Sequence, residues 1–568
     1  MVRRLAVATL LAALCVPLAR ARSVPSDPVD LVMVTRIREE GLKRSQVMDT
    51  VQELTDVIGP RLTGSPQMKR ANEWTRERLA GWGLANARVE SWGPFGRGWS
   101  YERSSVRMVA PQVVPLIALP KAWTPGTEGP VRGKVKRVRI GTRSDFERHK
   151  GKLAGLVILL SPQRTLRAPE RPLFNRYSDD DLESLSRFDV GSAGDNEGDE
   201  PRRARRRFQR ELAEFLAAEK VLATVEVSER DGTLVRVMGG GSRDKDGNPG
   251  VPALVMAAEH YNRVLRLLDK KQDVELEIDV KATFHDGDEP SANTLAEIPG
   301  ATDEVVMAGA HLDSWHAGTG ATDNAAGSAV VMEAVRILKA LEVKPRRTIR
   351  VALWSGEEQG LLGSRAYVEQ HFAARSDAEE ARRSQEGRRP RGALALKPEH
   401  AKLSAYFNID NGTGKIRGVY TQQNAAVAPL FEAWLEPLRD LGATTVTNRS
   451  TGGTDHLSFD EVGLPGFLFI QDQADYATRT HHTNLDVYDR LQKEDLMQAS
   501  VVLASFLYEA AQRDERFPRK LLSPSQLGPQ PTPTPEPTPD PDADPEGEPS
   551  PSPSPAATPA SRPSGARP

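Results

Sequence analysis

From residue 291 onward, short apolar runs alternate with longer stretches in which apolar residues recur every three or four positions. The short runs are rich in β-branched residues and predict strands, whereas the longer periodic stretches predict amphipathic helices. The predicted strands are 305–310, 348–354 and 464–470, and the predicted helices are about 325–341 and 491–511. This alternation indicates a three-layer α/β domain, with a mixed, largely parallel central sheet and helices on both faces.

The residues before 291 follow a less regular pattern. Apolar spacing predicts a helix over 69–82, directly after the turn-forming segment Gly-Pro-Arg-Leu-Thr-Gly-Ser-Pro. Between 105 and 285, short β-like runs such as 155–160 and 224–227 lie among polar, charge-rich loops. This change of character indicates a second, β-rich part of the chain.

The first 21 residues have the pattern of a secretory signal peptide. Two arginines precede an apolar run over 5–18 that is short for a membrane-spanning helix, and Ala19-Arg20-Ala21 matches a small-x-small cleavage site. A buried N-terminal helix is the alternative. We expect cleavage after Ala21 and export to the periplasm, the cell envelope or the medium. No later stretch is apolar and long enough for a transmembrane helix, so we expect none in the mature chain.

The chain ends in a proline-rich segment, 522–568. Such a composition cannot bury apolar surface, so the segment is expected to be an extended, disordered tail.

Composition narrows the classes of function. Lys and Arg total 76 and Asp and Glu total 78, so the formal net charge is −2. This balance argues against nucleic acid as a partner, because such binding needs a basic surplus or patch. The single cysteine, Cys15, lies within the predicted signal peptide, which excludes a disulfide framework and a cysteine-rich metal site.

Residue types that bind metals are concentrated where predicted strands end. His311 and Asp313 follow the strand 305–310, and their spacing places both side chains on one side of an extended backbone. His311 could then bind a metal while Asp313 orients it from behind. Glu357 and Glu358 follow the next strand almost directly, although an exposed acidic turn is the alternative for them.

Further candidates lie in later loops. Asp323 stands just before a predicted helix, where it could equally be a plain helix cap. His481 and His482 are adjacent in Thr-His-His-Thr-Asn-Leu-Asp, and two shorter segments contain Asp410 and His456. Taken singly, each residue favours a structural explanation. Together, histidines and carboxylates without cysteine form the ligand set of hydrolytic zinc sites.

Six segments in this order resemble those of the co-catalytic dizinc peptidase family: HLDSW, DNAAG, WSGEEQG, NIDNGT, GGTDH and HHTNLD. The family includes bacterial leucyl-type aminopeptidases, carboxypeptidase Q and glutaminyl cyclase, and the sequence is most similar to secreted carboxypeptidase Q-like members. The resemblance implies a peptidase domain formed by 28–104 and 286–516. It also implies a β-rich, protease-associated-like insertion over 105–285.

Transferred to this sequence, the resemblance implies two zinc ions bridged by one aspartate. The implied ligands are His311 and Asp410 in one site, Glu358 and His482 in the other, and Asp323 in both. His482 is preferred to His481 because it directly precedes Thr-x-x-Asp, as the last ligand of the family does. Glu357 would be the general base and Asp313 the residue that orients the first histidine. The sequence departs from the family at Val487, where threonine is usual.

The implied chemistry is hydrolysis of a peptide bond. Two zinc ions would lower the pKa of a bridging water, so that hydroxide is available near neutral pH. Glu357 would take the proton and pass it to the leaving amine. His456 would donate a hydrogen bond to the oxyanion, with a packing histidine as the alternative. Cobalt or manganese could also occupy such sites.

We therefore expect an exported exopeptidase that acts on peptides or dipeptides, with aminopeptidase action favoured. The alternatives are a carboxypeptidase Q-like dipeptidase, a glutaminyl cyclase-like enzyme, and a non-catalytic peptide-binding protein. A binding protein would be expected to have lost ligands, and here all five ligand positions and the base are present. A homodimer is one option for the oligomeric state.

Overall fold

The computed structural model describes residues 28–187, 199–287, 290–378, 392–522 and 527. The predicted signal peptide lies outside the described residues, as does nearly all of the proline-rich tail. Within the described residues, two eight-stranded sheets and one two-stranded sheet are present. No helix among these residues combines the length and the apolar character that crossing a membrane requires.

The first sheet is mixed, and its four central strands are parallel. In spatial order its strands are Ala85–Gly93, Ser291–Ile298, Thr348–Trp354, Val305–His311, Leu403–Asn408, Gly466–Gln471, Ile416–Tyr420 and Thr445–Thr447. The central strands are buried along almost their whole length, which explains why they appear as continuous apolar runs rather than as alternating patterns.

Helices cover both faces of the first sheet. Val306 packs in a large cluster with residues of the helices Ala326–Ala340 and Lys493–Gln512. The next residue, Met307, points to the other face and packs in a cluster with the helix Leu362–His371. The predicted α/β fold class is therefore confirmed.

The helices begin and end close to their predicted limits. The helix predicted over 69–82 spans Pro66–Gly81, because Ser65 accepts a hydrogen bond from Met68 N and so caps it. The α-helices are Leu31–Lys43, Val47–Gln52, Pro66–Gly81, Arg143–His149, Asp179–Ser186, Asp199–Ala218, Ala258–Asp269, Ala326–Ala340, Leu362–His371, Ala428–Leu435, His456–Asp460 and Lys493–Gln512. A π-helical turn, Glu53–Ile58, follows the second of these.

The second sheet is built from the residues between 98 and 285. In spatial order its strands are Val114–Leu116, Gly98–Ala110, Glu275–His285, Val131–Arg137, Val157–Leu159, Ala223–Val227, Ala253–Met256 and Ala118–Pro120. The predicted boundary after residue 104 falls inside the strand Gly98–Ala110. That residues 105–285 are an inserted, protease-associated-like domain stays a prediction.

An aromatic cluster joins the two sheets close to the predicted ligand His311. Trp315, which follows the first-sheet strand Val305–His311, packs edge-on against Trp123 with ring centroids 5.8 Å apart. Phe95 and Trp99 belong to the same buried cluster, and Trp99 lies on the second-sheet strand Gly98–Ala110. This packing fixes part of the second sheet beside the carboxyl ends of the first-sheet strands.

Candidate metal centre

Three neighbouring parallel strands of the first sheet deliver most of the predicted ligands. His311 ends one strand, Glu357 and Glu358 follow the strand beside it, and Asp410 follows the strand on its other side. The carboxyl ends of parallel strands meet at one edge of a sheet, which is where ligands bind in such folds. The structure therefore brings these side chains together.

We call His311, Asp323 and Asp410 the first ligand group. His311 Nε2 lies 3.2 Å from Asp323 Oδ1 and 3.2 Å from Asp410 Oδ1. The side chain of His311 is 1% exposed. One possible ligand atom from each residue lies within 4.8 Å of the others, so the three could hold a single ion.

We call Asp323, Glu358 and His482 the second ligand group. His482 Nε2 lies 3.1 Å from Asp323 Oδ2 and 3.0 Å from Glu358 Oε2. Asp323 therefore turns one carboxylate oxygen towards each group. His481 Nε2 lies farther from Asp323 Oδ2, at 3.9 Å, and its side chain is 32% exposed. The shorter distances favour His482 over its neighbour, although both could reach an ion.

The residues at this site fit metal ions. Asp323 Oδ2 and Glu358 Oε1 are buried, and neither accepts a hydrogen bond from a described residue. A buried carboxylate oxygen without a partner is costly, and a bound cation would stabilise it. The donor set of imidazole nitrogens and carboxylate oxygens, without sulfur, suits zinc and related divalent ions.

The ring of His311 is held mainly by main-chain contact. Its Nδ1 lies 3.0 Å from the carbonyl oxygen of Asp313 and 3.5 Å from the carboxylate of the same residue. The carboxylate of Asp313 accepts hydrogen bonds from Thr63 Oγ1 at 2.8 Å and Glu357 N at 3.3 Å. Asp313 thus connects the histidine to Glu357, but the carbonyl makes the shorter contact to the ring.

Glu357 lies beside the first ligand group without belonging to it. Its Oε2 is 4.0 Å from His311 Nε2, and its side chain is 9% exposed. Burial raises the pKa of Glu357 well above its ordinary value, and the nearby carboxylates of Asp410 and Asp455 act in the same direction. A carboxyl group in such surroundings binds a proton more readily than an exposed one does. Asp455 lies within the GGTDH segment, but the sequence analysis did not single it out.

His456 is fully buried. Its Nε2 lies 2.9 Å from Gln422 Nε2 and 3.1 Å from the carbonyl oxygen of Thr451, and Gln422 Oε1 accepts a hydrogen bond from Thr451 N. Burial lowers the pKa of His456 to about 4, so the ring is neutral. Its Nδ1 is buried and has no hydrogen-bond partner among the described residues.

Asp486 holds the backbone around the shared ligand. Its Oδ1 accepts from Thr322 N at 2.6 Å and Thr322 Oγ1 at 2.8 Å, and its Oδ2 accepts from Asp323 N at 3.2 Å. Burial raises the pKa of Asp486 to about 7, assisted by the adjacent Asp323 carboxylate. The last aspartate of the HHTNLD segment therefore orients the shared ligand from behind.

Arg61 supports the same loops from below, and the sequence analysis did not single it out. It is fully buried, and its guanidinium donates to five carbonyl oxygens. These belong to Leu54, Gly59, Leu312, Thr319 and Gly320. Burial lowers its pKa to about 10. Its position within the turn-forming segment gave no sign of this role, because the carbonyls come from distant parts of the chain.

The loop that contains His482 forms hydrogen bonds with residues 235–237, which lie between two strands of the second sheet. We call residues 98–285 the second sheet region. Val237 N donates to His482 O at 3.2 Å, and Asn484 N donates to Val235 O at 3.2 Å. Val235 N in turn donates to Asn484 Oδ1 at 2.7 Å. His482 has a φ of 62°, in the left-handed region that few non-glycine residues occupy. Contacts from the second sheet region thus fix the conformation of this ligand.

Comparison with known proteins identifies relatives for most of the chain. The model of peptidase family M28 matches residues 293–507. Carboxypeptidase Q of Bos taurus is 25% identical over 483 residues, which cover 84% of this chain and 88% of that protein. Leupeptin-inactivating enzyme 1 of Streptomyces exfoliatus is 30% identical over 191 residues, or 33% of this chain and 37% of that protein.

Solved structures share the fold. A peptidase M28 precursor from Shewanella amazonensis has a TM-score of 0.59 and 24% identity, and the match covers 87% of this chain and 99% of that one. BSAP, a zinc aminopeptidase from Bacillus subtilis, has a TM-score of 0.51 and 19% identity, with 82% and 95% covered. The family match over 293–507 includes Glu357 and every member of both ligand groups.

Proposed function

We propose that this chain, in which residues 293–507 match the model of peptidase family M28, is an exported exopeptidase with two zinc ions that releases amino acids from the N-terminus of peptides. The family match confirms the resemblance seen in the sequence motifs and, with the similarity to carboxypeptidase Q, supports a zinc metallopeptidase with a peptide substrate. The number of ions, the end of the peptide that is read and the export are our proposals. The observation that carries the two-ion site is the sharing of buried Asp323 between two ligand groups beside Glu357.

We assign the two ions to the two ligand groups. His311 and Asp410 would hold one ion, Glu358 and His482 the other, and Asp323 would contribute one oxygen to each. The two unpartnered carboxylate oxygens support this assignment. When bound, the ions would lower the pKa of water and polarise the carbonyl of the scissile bond.

Glu357 is the proposed proton carrier. Its carboxylate accepts the proton of the attacking water, and the same oxygen then gives that proton to the leaving amine. Burial raises its pKa, so the carboxyl group takes up a proton more readily than an exposed glutamate does. The hydrogen bond from Glu357 N to Asp313 Oδ1 fixes where the chain turns at this residue.

His456 is the proposed donor to the developing oxyanion. The donor would be Nδ1, which is buried and has no hydrogen-bond partner among the described residues, with the ring proton on this atom. A preorganised donor of this kind stabilises negative charge that appears only in the transition state.

Aminopeptidase action is tested with a matched substrate panel. The full-length, zinc-loaded protein is incubated with aminoacyl-nitroanilides, the same compounds with a blocked N-terminus, N-blocked peptides and free dipeptides. Cleavage of the unblocked nitroanilides, lost with chelator and restored by zinc, supports the proposal. Cleavage confined to dipeptides or to N-blocked peptides would instead indicate dipeptidase or carboxypeptidase action. Cyclisation of an N-terminal glutamine, or peptide binding without turnover, would indicate the remaining alternatives.

Export is tested separately. The segment 1–21 supports it through its sequence alone, and N-terminal sequencing of the protein recovered from its natural host checks it. A mature chain that begins at Arg22 is the expected result, and a chain that still begins at Met1 would contradict the proposal. A homodimer stays a prediction, which the molar mass in solution would check.

A further inference from the structure

Arg236 lies next to the second ligand group, and the sequence analysis assigned it no role. Its Nη2 is 3.4 Å from His482 Nδ1, on the side of the ring opposite Asp323 and Glu358. Its side chain is 20% exposed, and its Nε is buried without a hydrogen-bond partner among the described residues. The guanidinium of Arg236 is therefore partly buried, partly exposed to solvent and incompletely hydrogen-bonded. It lies beside the second ligand group.

Metal binding would leave this guanidinium without its histidine contact. His482 Nε2 faces the other ligands, so a neutral ring that binds metal through Nε2 carries its proton on Nδ1. Nδ1–H then faces Arg236 Nη2–H, and two donors cannot share a hydrogen bond. In the metal-loaded protein Arg236 therefore needs another acceptor.

Arg236 lies near two further arginines, and two of these three arginines have an acidic partner in contact. Glu229 pairs with Arg236 at 2.6 Å, and Asp231 pairs with Arg164 at 3.0 Å. Between these two acids in the sequence, Arg230 is half-buried, and its Nε is buried without a hydrogen-bond partner among the described residues. Glu229 is 68% exposed, so water weakens its hold on Arg236.

We propose that Arg236, supported by Arg230, determines specificity by binding a carboxylate of the substrate beside the second ligand group. The inference rests on the proposed peptidase function and goes further by assigning an acidic group to the substrate. A guanidinium binds a carboxylate through two parallel hydrogen bonds, which fixes the orientation of the bound molecule. The carboxylate could be the C-terminus of a short peptide or an acidic side chain.

Equilibrium binding to a zinc-loaded Glu357→Gln protein tests the inference without relying on turnover. Calorimetry compares Leu-Ala with Leu-Ala amide, and Leu-Asp amide with Leu-Asn amide. The first pair reports on a terminal carboxylate and the second on a side-chain carboxylate. In each pair the affinity ratio of the acidic to the neutral ligand is measured before and after adding Arg236→Gln.

The expected result is a fall of about tenfold in the ratio for one pair, which also identifies the source of the carboxylate. Arg236→Lys keeps the charge but not the paired donors, so an intermediate fall is expected. Arg103→Gln is the control, because Arg103 forms an exposed pair with Asp279 on the second sheet and should leave both ratios unchanged. Zinc content and the thermal unfolding midpoint are measured for every variant.

Two results would overturn the inference. Unchanged ratios for both pairs would show that Arg236 binds no carboxylate, and loss of zinc from Arg236→Gln would show that it positions His482 instead. The proposed function is judged separately on the wild-type protein. Cleavage of neutral amides with unchanged ratios leaves the function standing and removes only the inference. Failure to cleave any substrate of the panel removes both.

Discussion

The two ligand groups share Asp323 but are built in different ways. In the first group, His311 and Asp410 come from neighbouring parallel strands, and the histidine is 1% exposed. In the second group, His482 lies on a loop, is 12% exposed and has a left-handed backbone that is paired with residues near Val235. One half of the site is thus a product of the first sheet, whereas the other half depends on contacts between distant parts of the chain.

This difference indicates which part of the centre is rigid and which part can adapt. Ligands at the ends of buried strands cannot move without disturbing the core, so the first group is expected to be rigid. A loop held by a few hydrogen bonds opens at lower free energy than the core of a sheet. We therefore expect the second group to bind its ion more weakly and to respond to changes in the second sheet region.

The first prediction has the largest effect on activity. It separates the role of Glu357, the proposed proton carrier, from that of its neighbour Glu358, a proposed metal ligand. Glu357→Gln should lower kcat by about 10²- to 10⁴-fold, because the proton carrier is lost while every ligand remains. Glu358→Gln should also lower activity, but through loss of zinc from the second group. Steady-state kinetics and zinc content by mass spectrometry distinguish the two variants.

The Glu357→Gln variant also tests whether Glu357 is a proton carrier rather than a metal ligand. Zinc content should stay near that of the wild type, since Glu357 Oε2 lies beside the first group rather than within it. Loss of zinc from this variant would place Glu357 among the ligands. Activity above about a tenth of the wild-type value would contradict its role as the proton carrier.

Two of the ligands could be predicted from their place in the sequence, because His311 of the first group and Glu358 of the second each stand at or just beyond a predicted strand. Asp410 follows a strand in the structure, but its role as a ligand was implied only by the family resemblance. Asp323 was less certain, since a carboxylate before a helix is also a normal cap. In the structure Asn324 Oδ1 accepts from Gly327 N, and this leaves Asp323 free to face both groups.

The supports of the site could not be predicted from the sequence. Arg236 contacts a histidine 246 residues away, and Arg61 donates to Leu312, 251 residues away. No local periodicity or spacing records such contacts, because they depend on how separate elements pack. Asp313 shows an intermediate case, in which the residue was found but its carbonyl rather than its carboxylate makes the shorter contact to the ring.

A second prediction concerns the support of the loops that contain the first group. Arg61→Met should lower the free energy of unfolding by about 3–5 kcal/mol, because it leaves several buried carbonyls unpaired. Chemical denaturation of the zinc-free protein measures this change without a contribution from bound metal. Arg103→Met, at an exposed pair, should cause no measurable loss of stability. Equal stability of the two variants would show that the carbonyls around Arg61 find other donors.

A third prediction changes the second group from outside. Asn484→Ala removes the oxygen that accepts from Val235 N, so the loop of His482 loses a contact with the second sheet region. The affinity of the second group for zinc should fall about tenfold, while that of the first group stays the same. Titration with a competing chelator, followed by two-step analysis, measures both affinities.

The matched control for Asn484 is Asn262. Its side chain also bridges backbone groups within the second sheet region, where Oδ1 accepts from Arg164 N at 3.0 Å and Nδ2 donates to Arg164 O at 2.7 Å. Asn262→Ala should therefore cost stability without changing either zinc affinity. If both variants weakened zinc binding equally, the second group would depend on general stability rather than on the paired loop.

The last prediction compares the two adjacent histidines, and the smaller effect is expected at His481. His482 Nε2 lies about 3 Å from both Asp323 and Glu358, whereas His481 reaches only Asp323, at 3.9 Å. His482→Asn should weaken zinc binding by the second group by at least about tenfold, because a ligand is lost. His481→Asn should change it by less than about threefold, the scale of an indirect contact. The same chelator titration measures both, and a larger effect of His481→Asn would mean that the loop rearranges when metal binds. In that case the second group would be completed by the metal rather than by the contacts that hold its loop.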